Sequence, residues 1–249
     1  MNEANNRTGG APLLVVEHLD AGYGKLTVLR DVNVTIPAGH FTAILGPNGS
    51  GKSTLLKAVF GLADVLGGTV TLDGARLDGL PTEAVSYRGI AYVPQRGNVF
   101  AGMTVAENLH LATRTLPRHA AHERYEQIYG LFPILQERRR QRAGKLSGGE
   151  RQMLAIAIAA LVRPRLILLD EPSAGLSPLF VTEVFRTLRR LCDEGITLAV
   201  VEQNARSILR WCDAAYVLRE GQVAYYGAAA ELTADEELAK SYLGVARRM

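Results

Sequence analysis

One segment of the chain has the residue types and spacing of a phosphate-binding loop. Its members are Gly46, Pro47, Asn48, Gly49, Ser50, Gly51, Lys52 and Ser53, followed directly by Thr54. The glycines let backbone N–H groups converge on phosphate oxygens, and a helix beginning near Gly51 would add the positive end of its dipole. Lys52 would lie between the β- and γ-phosphates, and Ser53 could coordinate Mg²⁺. The segment predicts nucleotide binding, in preference to a chance glycine-rich turn.

Two adjacent carboxylates follow an apolar run at residues 166–169. With a phosphate loop in the same chain, Asp170 is predicted to hold Mg²⁺, directly or through water. Glu171 would orient and deprotonate an attacking water. Neighbouring residues of a strand point to opposite sides, so we expect each acid to have its own role. The simpler interpretation is a pair of solvated acids at a strand end.

A second glycine-bearing segment, residues 146–152, precedes another predicted helix. Ser147 and Glu150 have the spacing of a capping box, which explains how the helix starts. It does not explain Gly148 and Gly149, because glycines weaken a helix start unless something must approach the backbone. Free N–H groups at a helix start bind anions. The segment predicts a second phosphate contact, with the nucleotide held between two surfaces.

The elements that must position these residues alternate between strands and helices. Apolar runs predict strands at 13–19, 41–45, 68–72, 89–93, 166–169, 197–201 and 214–218, and alternation predicts an antiparallel strand at 28–36. Helices are predicted at 52–60, 152–161, 179–192 and 205–211. This order indicates an α/β fold with a mostly parallel sheet and helices on its faces.

Residues 99–144 differ, because their pattern is helical throughout and carries no strand signal. We interpret them as a helical subdomain inserted between two strands. The predicted organisation is a loosely ordered tail at 1–11 and a single domain at 12–249. The domain combines a P-loop NTPase core, an N-terminal antiparallel β subdomain and the helical insertion at about 99–150.

Composition excludes several other classes of protein. The chain has 249 residues, 47% of them hydrophobic, and a formal net charge of +3, which is unlike a disordered chain or a nucleic-acid-binding surface. Cys192 and Cys212 are too few for a disulfide framework and fit a reducing compartment. The polar first 11 residues do not resemble a secretory signal. The longest uncharged apolar stretch, Gln152 to Val162, is well short of the ~20 residues of a membrane helix. The basic run at 137–142 is interpreted as a solvated face.

These motifs, in this order and with Gln95 between them, resemble the ATP-binding subunit of an ABC transporter over about residues 13–244. The resemblance implies that two such subunits pack head to tail. ATP would then lie between the phosphate loop of one subunit and residues Ser147, Gly148 and Gly149 of the other. It also implies two membrane-spanning permease subunits, and a peripheral location at the cytoplasmic face of the bacterial inner membrane.

The same resemblance assigns further residues. Tyr23 would stack on adenine beside Val28, although a strand-edge tyrosine is the plainer interpretation of Tyr23. Gln95 would contact Mg²⁺ and the attacking water, and the loop at 96–103 would relay their state to the permeases.

Two positions depart from the common family pattern. Ser177 stands where many relatives have Asp, and Gln203 stands where many have His. Together with Phe132-Pro133 and the ending Tyr242-Leu243-Gly244-Val245, they resemble the ATPases of importers for branched-chain or hydrophobic amino acids. That implies a second, non-identical ATPase and, indirectly, a substrate-binding receptor. We expect Gln203 to contact the γ-phosphate without proton transfer, or else only to cap the following helix.

Three other functions carry the phosphate loop. An ATPase of lipid or lipopolysaccharide export is the runner-up. A nucleic-acid-linked ABC ATPase would carry two tandem copies, or a long coiled coil between Lys52 and Ser147, which are only 95 positions apart. A small-molecule kinase would not need residues 146–152. We therefore expect ATP and Mg²⁺ as ligands, and no nucleic acid partner.

Overall fold

The computed structural model describes residues 11–114, 117–234 and 241–242. Its strands are β1 (Pro12–Tyr23), β2 (Leu26–Pro37), β3 (Phe41–Leu45), β4 (Asp64–Leu72), β5 (Ala75–Arg76), β6 (Ile90–Val93), β7 (Leu166–Asp170), β8 (Thr197–Glu202), β9 (Ala214–Arg219) and β10 (Gln222–Ala228). Its helices are α1 (Lys52–Val59), α2 (Thr82–Tyr87), α3 (Val105–Thr113), α4 (Arg118–Leu131), α5 (Pro133–Glu137), α6 (Gly148–Leu161), α7 (Pro178–Asp193), α8 (Ala205–Ile208) and α9 (Ala229–Ala234). The predicted tail lies outside the described residues, apart from Ala11.

The strands form two sheets. The first is antiparallel, in the order β2-β1-β4-β5, and the second has the order β10-β9-β3-β8-β7-β6. In the second sheet β9, β3, β8, β7 and β6 run parallel to their neighbours, and only β10 is antiparallel. The expected α/β class, with a mostly parallel sheet and a separate antiparallel one, is confirmed.

The parallel strands are buried on both faces, which is why they read as continuous apolar runs. Alternate residues of β3 face different clusters: Phe41, Ala43 and Leu45 pack with helices α6 and α7, whereas Ile44 packs with α1 and the antiparallel sheet. Both faces of the sheet are therefore filled, and the carboxyl edge of its strands is left for polar residues.

Helices α3, α4 and α5 lie in sequence between β6 and β7. Within the described part of residues 99–144, the extended pairing is a single isolated bridge between Thr104 and Arg142. The starts of α3 and α5 have local causes. Thr104 and Glu107 form a capping box at α3, and Pro133 occupies the first turn of α5.

Some element predictions were incomplete. The helix expected at 205–211 ends at Ile208, because Trp211 N bonds Ile208 O in a tight turn before β9. Strand β10, rich in Ala and Gly, was not predicted, and neither were α2 and β5. Among the described residues, no helix is long and apolar enough to cross a membrane.

Candidate nucleotide site

The phosphate loop joins β3 to α1 at the carboxyl edge of the parallel sheet, where ligands of open α/β sheets bind. Gly51 ends the loop with a φ of 98°, a left-handed conformation that favours glycine. A Cβ at Gly46 would lie 2.3 Å from the Leu218 carbonyl oxygen, so the loop packs directly on the end of β9. Sequence and structure therefore agree on a compact loop between strand and helix.

Lys52 lies beneath this loop and is only 4% exposed. Its Nζ donates a hydrogen bond to the carbonyl oxygen of Pro47 at 2.9 Å. Burial lowers the pKa of Lys52 below its usual value, and nearby carboxylates, foremost that of Glu171, oppose the shift. The ammonium group is thus held within the loop by one backbone carbonyl and surrounding negative charge.

Ser53 and Asp170 meet directly, although 117 positions separate them in the chain. The Ser53 hydroxyl donates to Asp170 Oδ1 at 2.7 Å, and the Tyr92 hydroxyl donates to Asp170 Oδ2 at 3.3 Å. Asp170 is 6% exposed and Thr54 is 7% exposed. The predicted Mg²⁺ residues Ser53 and Asp170 therefore lie together at the end of β7.

This donor set fits Mg²⁺. A hydroxyl, a carboxylate and the amide oxygen of Gln95 are hard oxygen donors, which Mg²⁺ prefers beside phosphate oxygens. In the part of the chain that the structure describes, no group of three or more His, Cys, Asp or Glu side chains could hold a metal ion alone. A cation bound here would depend on the phosphates for its remaining ligands.

Glu171 is placed by a backbone turn. Strand β7 ends at Asp170, and Glu171 has a φ of 47°, in the left-handed region that costs a non-glycine residue about 1 kcal/mol. Glu171 therefore lies outside the strand, and the turn, rather than strand alternation, sets its direction relative to Asp170. Gln95 Nε2 donates to Glu171 Oε2 at 2.7 Å, which brings these two predicted residues together.

Gln203 follows β8 at the same edge of the sheet. It is exposed and lines a cavity of about 470 Å³, together with Glu171 and Glu202. Helix α8 has Asn204 at its N-cap and no side-chain cap, and no hydrogen bond of the Gln203 side chain occurs among the described residues. The geometry gives no support to a helix-capping role for Gln203.

The sequence analysis gave no role to Glu202, which is buried at the end of β8. Its Oε1 accepts a hydrogen bond from Ser173 N at 2.9 Å. Burial raises the pKa of Glu202 to about 7, although the bonds with Ser173 partly oppose this. Glu202 could have been found from the sequence, because it follows the apolar run at 197–201 just as Asp170 follows the run at 166–169.

The second glycine-bearing segment caps α6 as expected. Ser147 N donates to Glu150 Oε2 at 2.8 Å, and Glu150 N donates to Ser147 Oγ at 3.2 Å. Ser147 and Gly148 are exposed. Gly149 is buried for an internal reason, because a Cβ there would lie 2.2 Å from the Phe180 ring. Packing against Phe180 therefore explains Gly149, and an approach of phosphate to the backbone stays a prediction for Gly148.

Two predicted residues lie on strands of the antiparallel sheet. Val28 lies against the phosphate loop, since its Cγ1 is 3.6 Å from a Cβ built at Gly51. Tyr23 ends β1 and is 42% exposed.

Sequence reasoning missed Gly221, whose N–H donates to Ser50 O at 3.2 Å and whose φ is 79°. The turn pair Glu220-Gly221 was its only signal.

A mostly parallel sheet with a phosphate loop and two carboxylates at its carboxyl edge defines a P-loop nucleotide-binding ATPase. The family model described as ABC transporter matches residues 29–174. The chain belongs to the ABC transporter family, as an ATPase whose relatives are ATP-binding subunits of transporters.

Three curated relatives cover nearly the whole chain. A probable branched-chain amino acid transport ATP-binding protein, LivF of Archaeoglobus fulgidus, is 44% identical over 91% of this chain and 97% of its own. The high-affinity branched-chain amino acid transport ATP-binding protein BraG of Pseudomonas aeruginosa is 38% identical over 93% and 100%. The lipopolysaccharide export system ATP-binding protein LptB of Escherichia coli is 33% identical over 93% and 97%.

Solved structures share the fold. The ADP conformation of MJ1267, an ATP-binding cassette of an ABC transporter, has a TM-score of 0.80 and 26% identity, over 94% of this chain and 100% of its own. The dimeric structure of MJ0796, a bacterial ABC transporter cassette, has a TM-score of 0.77 and 25% identity, over 87% and 99%. The family thus binds nucleotide and includes a dimeric cassette.

Proposed function

We propose that this chain is the ATP-hydrolysing subunit of an importer for branched-chain or other hydrophobic amino acids. The hydrolytic part rests on one observation: Ser53, Asp170, Gln95 and Glu171 converge at one sheet edge through two hydrogen bonds of 2.7 Å. The substrate class is supported by LivF and BraG, the more similar of the curated relatives described above. Gln203 and Ser177 depart from the common family pattern in the same direction.

In this proposal the phosphate loop binds the triphosphate. Its backbone N–H groups and the start of α1 face the phosphate oxygens, and Lys52 contacts the β- and γ-phosphates. Ser53 and Asp170, with Gln95, would hold Mg²⁺, which neutralises charge on the phosphates. Tyr23 and Val28 would receive the adenine: Val28 lies against the loop, and Tyr23 is 42% exposed at the end of β1.

Glu171 is the proposed general base. Its carboxylate would accept a proton from the attacking water. The side-chain amide of Gln95 would hold this carboxylate in place through its hydrogen bond. Gln203 would donate its amide to a γ-phosphate oxygen from the shared cavity. All three side chains lie at one edge of the sheet, so each can reach the terminal phosphate.

Ser147, Gly148 and Gly149 would serve a different subunit. Ser147 and Gly148 are exposed at the start of α6, and no hydrogen bond among the described residues joins them to the phosphate loop. We propose that they close over ATP bound to a second, non-identical ATPase packed head to tail. The pair would sit on two permease subunits at the cytoplasmic face of the inner membrane, served indirectly by a substrate-binding receptor.

The test of this proposal is Glu171→Gln. The amide keeps the shape and the contact with Gln95 but cannot accept the proton of water, so hydrolysis should stall while ATP binding persists. ATP turnover and ATP-dependent association would be measured on the same protein, by phosphate release and size-exclusion chromatography. Glu183→Gln is a matched control, since Glu183 is a half-buried acid on α7 that pairs with Arg186, away from the site. Unchanged turnover in Glu171→Gln would show that another group is the base.

The runner-up is an ATPase of lipopolysaccharide export, supported by the 33% identity to LptB. Reconstitution with the permeases encoded beside its gene separates the two. ATP-dependent uptake of leucine into vesicles supports import, and movement of lipopolysaccharide without uptake supports the alternative.

A further inference from the structure

We propose that Tyr92 is a positioning residue that fixes the plane of the Asp170 carboxylate for Mg²⁺ binding. This inference rests on the proposed function, because it concerns the metal-binding part of the same site. It adds a residue that the phosphate loop, the carboxylate pair and the residue Gln95 do not include.

The carboxylate of Asp170 is held at both oxygens. Ser53 Oγ donates to Oδ1 at 2.7 Å, and the Tyr92 hydroxyl donates to Oδ2 at 3.3 Å. A carboxylate bonded at one oxygen can still turn about its Cβ–Cγ bond, whereas two donors on opposite oxygens define one plane. Since Asp170 is only 6% exposed, water has little access to replace either donor.

Tyr92 is itself held in place from two directions. Its strand β6 pairs in parallel with β7, with Tyr92 opposite Leu168, two residues before Asp170. Its ring stacks on Phe60 at a centroid distance of 5.4 Å. Phe60 is the C-cap of α1, the helix whose first residues are Lys52 and Ser53. The hydroxyl is therefore positioned by the same helix that carries the phosphate loop.

The chemistry of a phenol suits this position. A tyrosine hydroxyl ordinarily ionises only near pH 10, so it is a neutral donor at physiological pH. A neutral donor orients the carboxylate and leaves its negative charge available to a divalent cation. A lysine or arginine at this position would compensate that charge and compete with Mg²⁺.

The test is Tyr92→Phe in the full-length chain. This change removes one oxygen atom and keeps the ring that stacks on Phe60. Mn²⁺ would replace Mg²⁺ as a paramagnetic probe, and its affinity for the ATP-bound protein would be measured by electron paramagnetic resonance. Loss of one hydrogen bond to a charged group should weaken Mn²⁺ binding about tenfold. Affinity for ATP without divalent metal should stay within about twofold.

Tyr87→Phe is the matched control, because it makes the same chemical change at a tyrosine on α2 that is 89% exposed. It should bind Mn²⁺ as the wild type does. The proposal is overturned if Tyr92→Phe has wild-type Mn²⁺ affinity, which would leave Tyr92 a packing role only. It is also overturned if Tyr92→Phe weakens metal-free ATP binding as much as Mn²⁺ binding. If the wild-type chain binds no Mn²⁺ with ATP, the proposed function fails instead.

Discussion

The phosphate loop and the segment at 146–149 both contain glycine and both lead into a helix, but they differ in burial and in hydrogen-bond partners. In the phosphate loop Lys52 is buried, Ser53 is bonded to Asp170, and Gly46 packs against the end of β9. In the second segment Ser147 and Gly148 are exposed. The two hydrogen bonds between Ser147 and Glu150 cap helix α6.

This contrast indicates a division of labour. The first segment is surrounded by the proposed metal-binding and catalytic side chains of its own chain, so we expect it to bind ATP without a contact from another subunit. The second segment presents a helix start to the outside, where another molecule can supply the nucleotide. A complete hydrolytic site would then need the first segment of one subunit and the second segment of another.

The largest expected effect is that of Lys52→Ala, which removes the buried charge from the first segment. Without the ammonium group facing the β- and γ-phosphates, hydrolysis in the assembled transporter should fall at least about a hundredfold. Lys57→Ala, in the last turn of the same helix α1, is the control and should keep its activity. Wild-type turnover in Lys52→Ala would remove the basis for calling the first segment catalytic.

Gly148→Asp tests the second segment. A Cβ here would meet only Leu176 Cδ2 at 3.6 Å, and an acid in the first turn suits the helix dipole, so the chain should fold normally. The new carboxylate would repel phosphate from the helix start and lower hydrolysis on the order of tenfold to a hundredfold. ATP binding by the variant's own phosphate loop, measured by fluorescence titration, should not change. Weaker binding there would mean that both segments serve one nucleotide within one chain.

Gln203→Ala should have an effect of similar size, because it removes one hydrogen bond to the γ-phosphate. Loss of about 1.5–3 kcal/mol corresponds to roughly a tenfold to hundredfold lower rate. Gln203→His should remain active and add a titration near pH 6–7 to the rate profile. The rate and the melting temperature would be measured together. A lower Tm with an unchanged rate would reduce Gln203 to a structural role.

The smallest expected effect is on stability, at Glu202. Its pKa is raised from 4.5 to about 7 in the folded chain, so the folded state holds the proton more tightly than the unfolded state. This stabilising contribution is complete below pH 4.5 and is lost as the pH rises through 7. The free energy of unfolding of Glu202→Gln, relative to that of wild type, should therefore increase from pH 5 to pH 8 by on the order of 2 kcal/mol. Urea unfolding of the nucleotide-free chain at both pH values checks this, and an equal difference at both would contradict it.

Local patterns in the sequence predicted much of the fold. The run at 41–45 predicted β3 with its observed bounds, because a strand buried on both faces is apolar at nearly every position. Strand β10 was not predicted, because apolar and polar residues do not alternate regularly along it. Its pairing with β9 depends on the tight turn at Glu220-Gly221, which is a weaker signal.

The site was predicted by residue type, and less well by geometry. The loop, Asp170 and Glu171 followed from their spacing, but the left-handed turn at Glu171 leaves no mark in the sequence. Contacts across long separations were equally hidden. Tyr92 reaches Asp170 over 78 positions, and Phe180 accounts for Gly149. Such contacts depend on which strands and helices become neighbours, which local patterns do not specify.

The central claim is that two segments from different subunits form one hydrolytic site, and a mixing experiment tests it most directly. Lys52→Ala and Gly148→Asp chains would be purified separately and mixed, without the non-identical ATPase, at a concentration at which two copies of the wild-type chain pair and hydrolyse ATP. A mixed pair then contains one site with an intact phosphate loop and an intact segment at 146–149. The account predicts that the mixture regains a substantial fraction of wild-type activity, although each variant alone is nearly inactive. A mixture as inactive as its two components would contradict it.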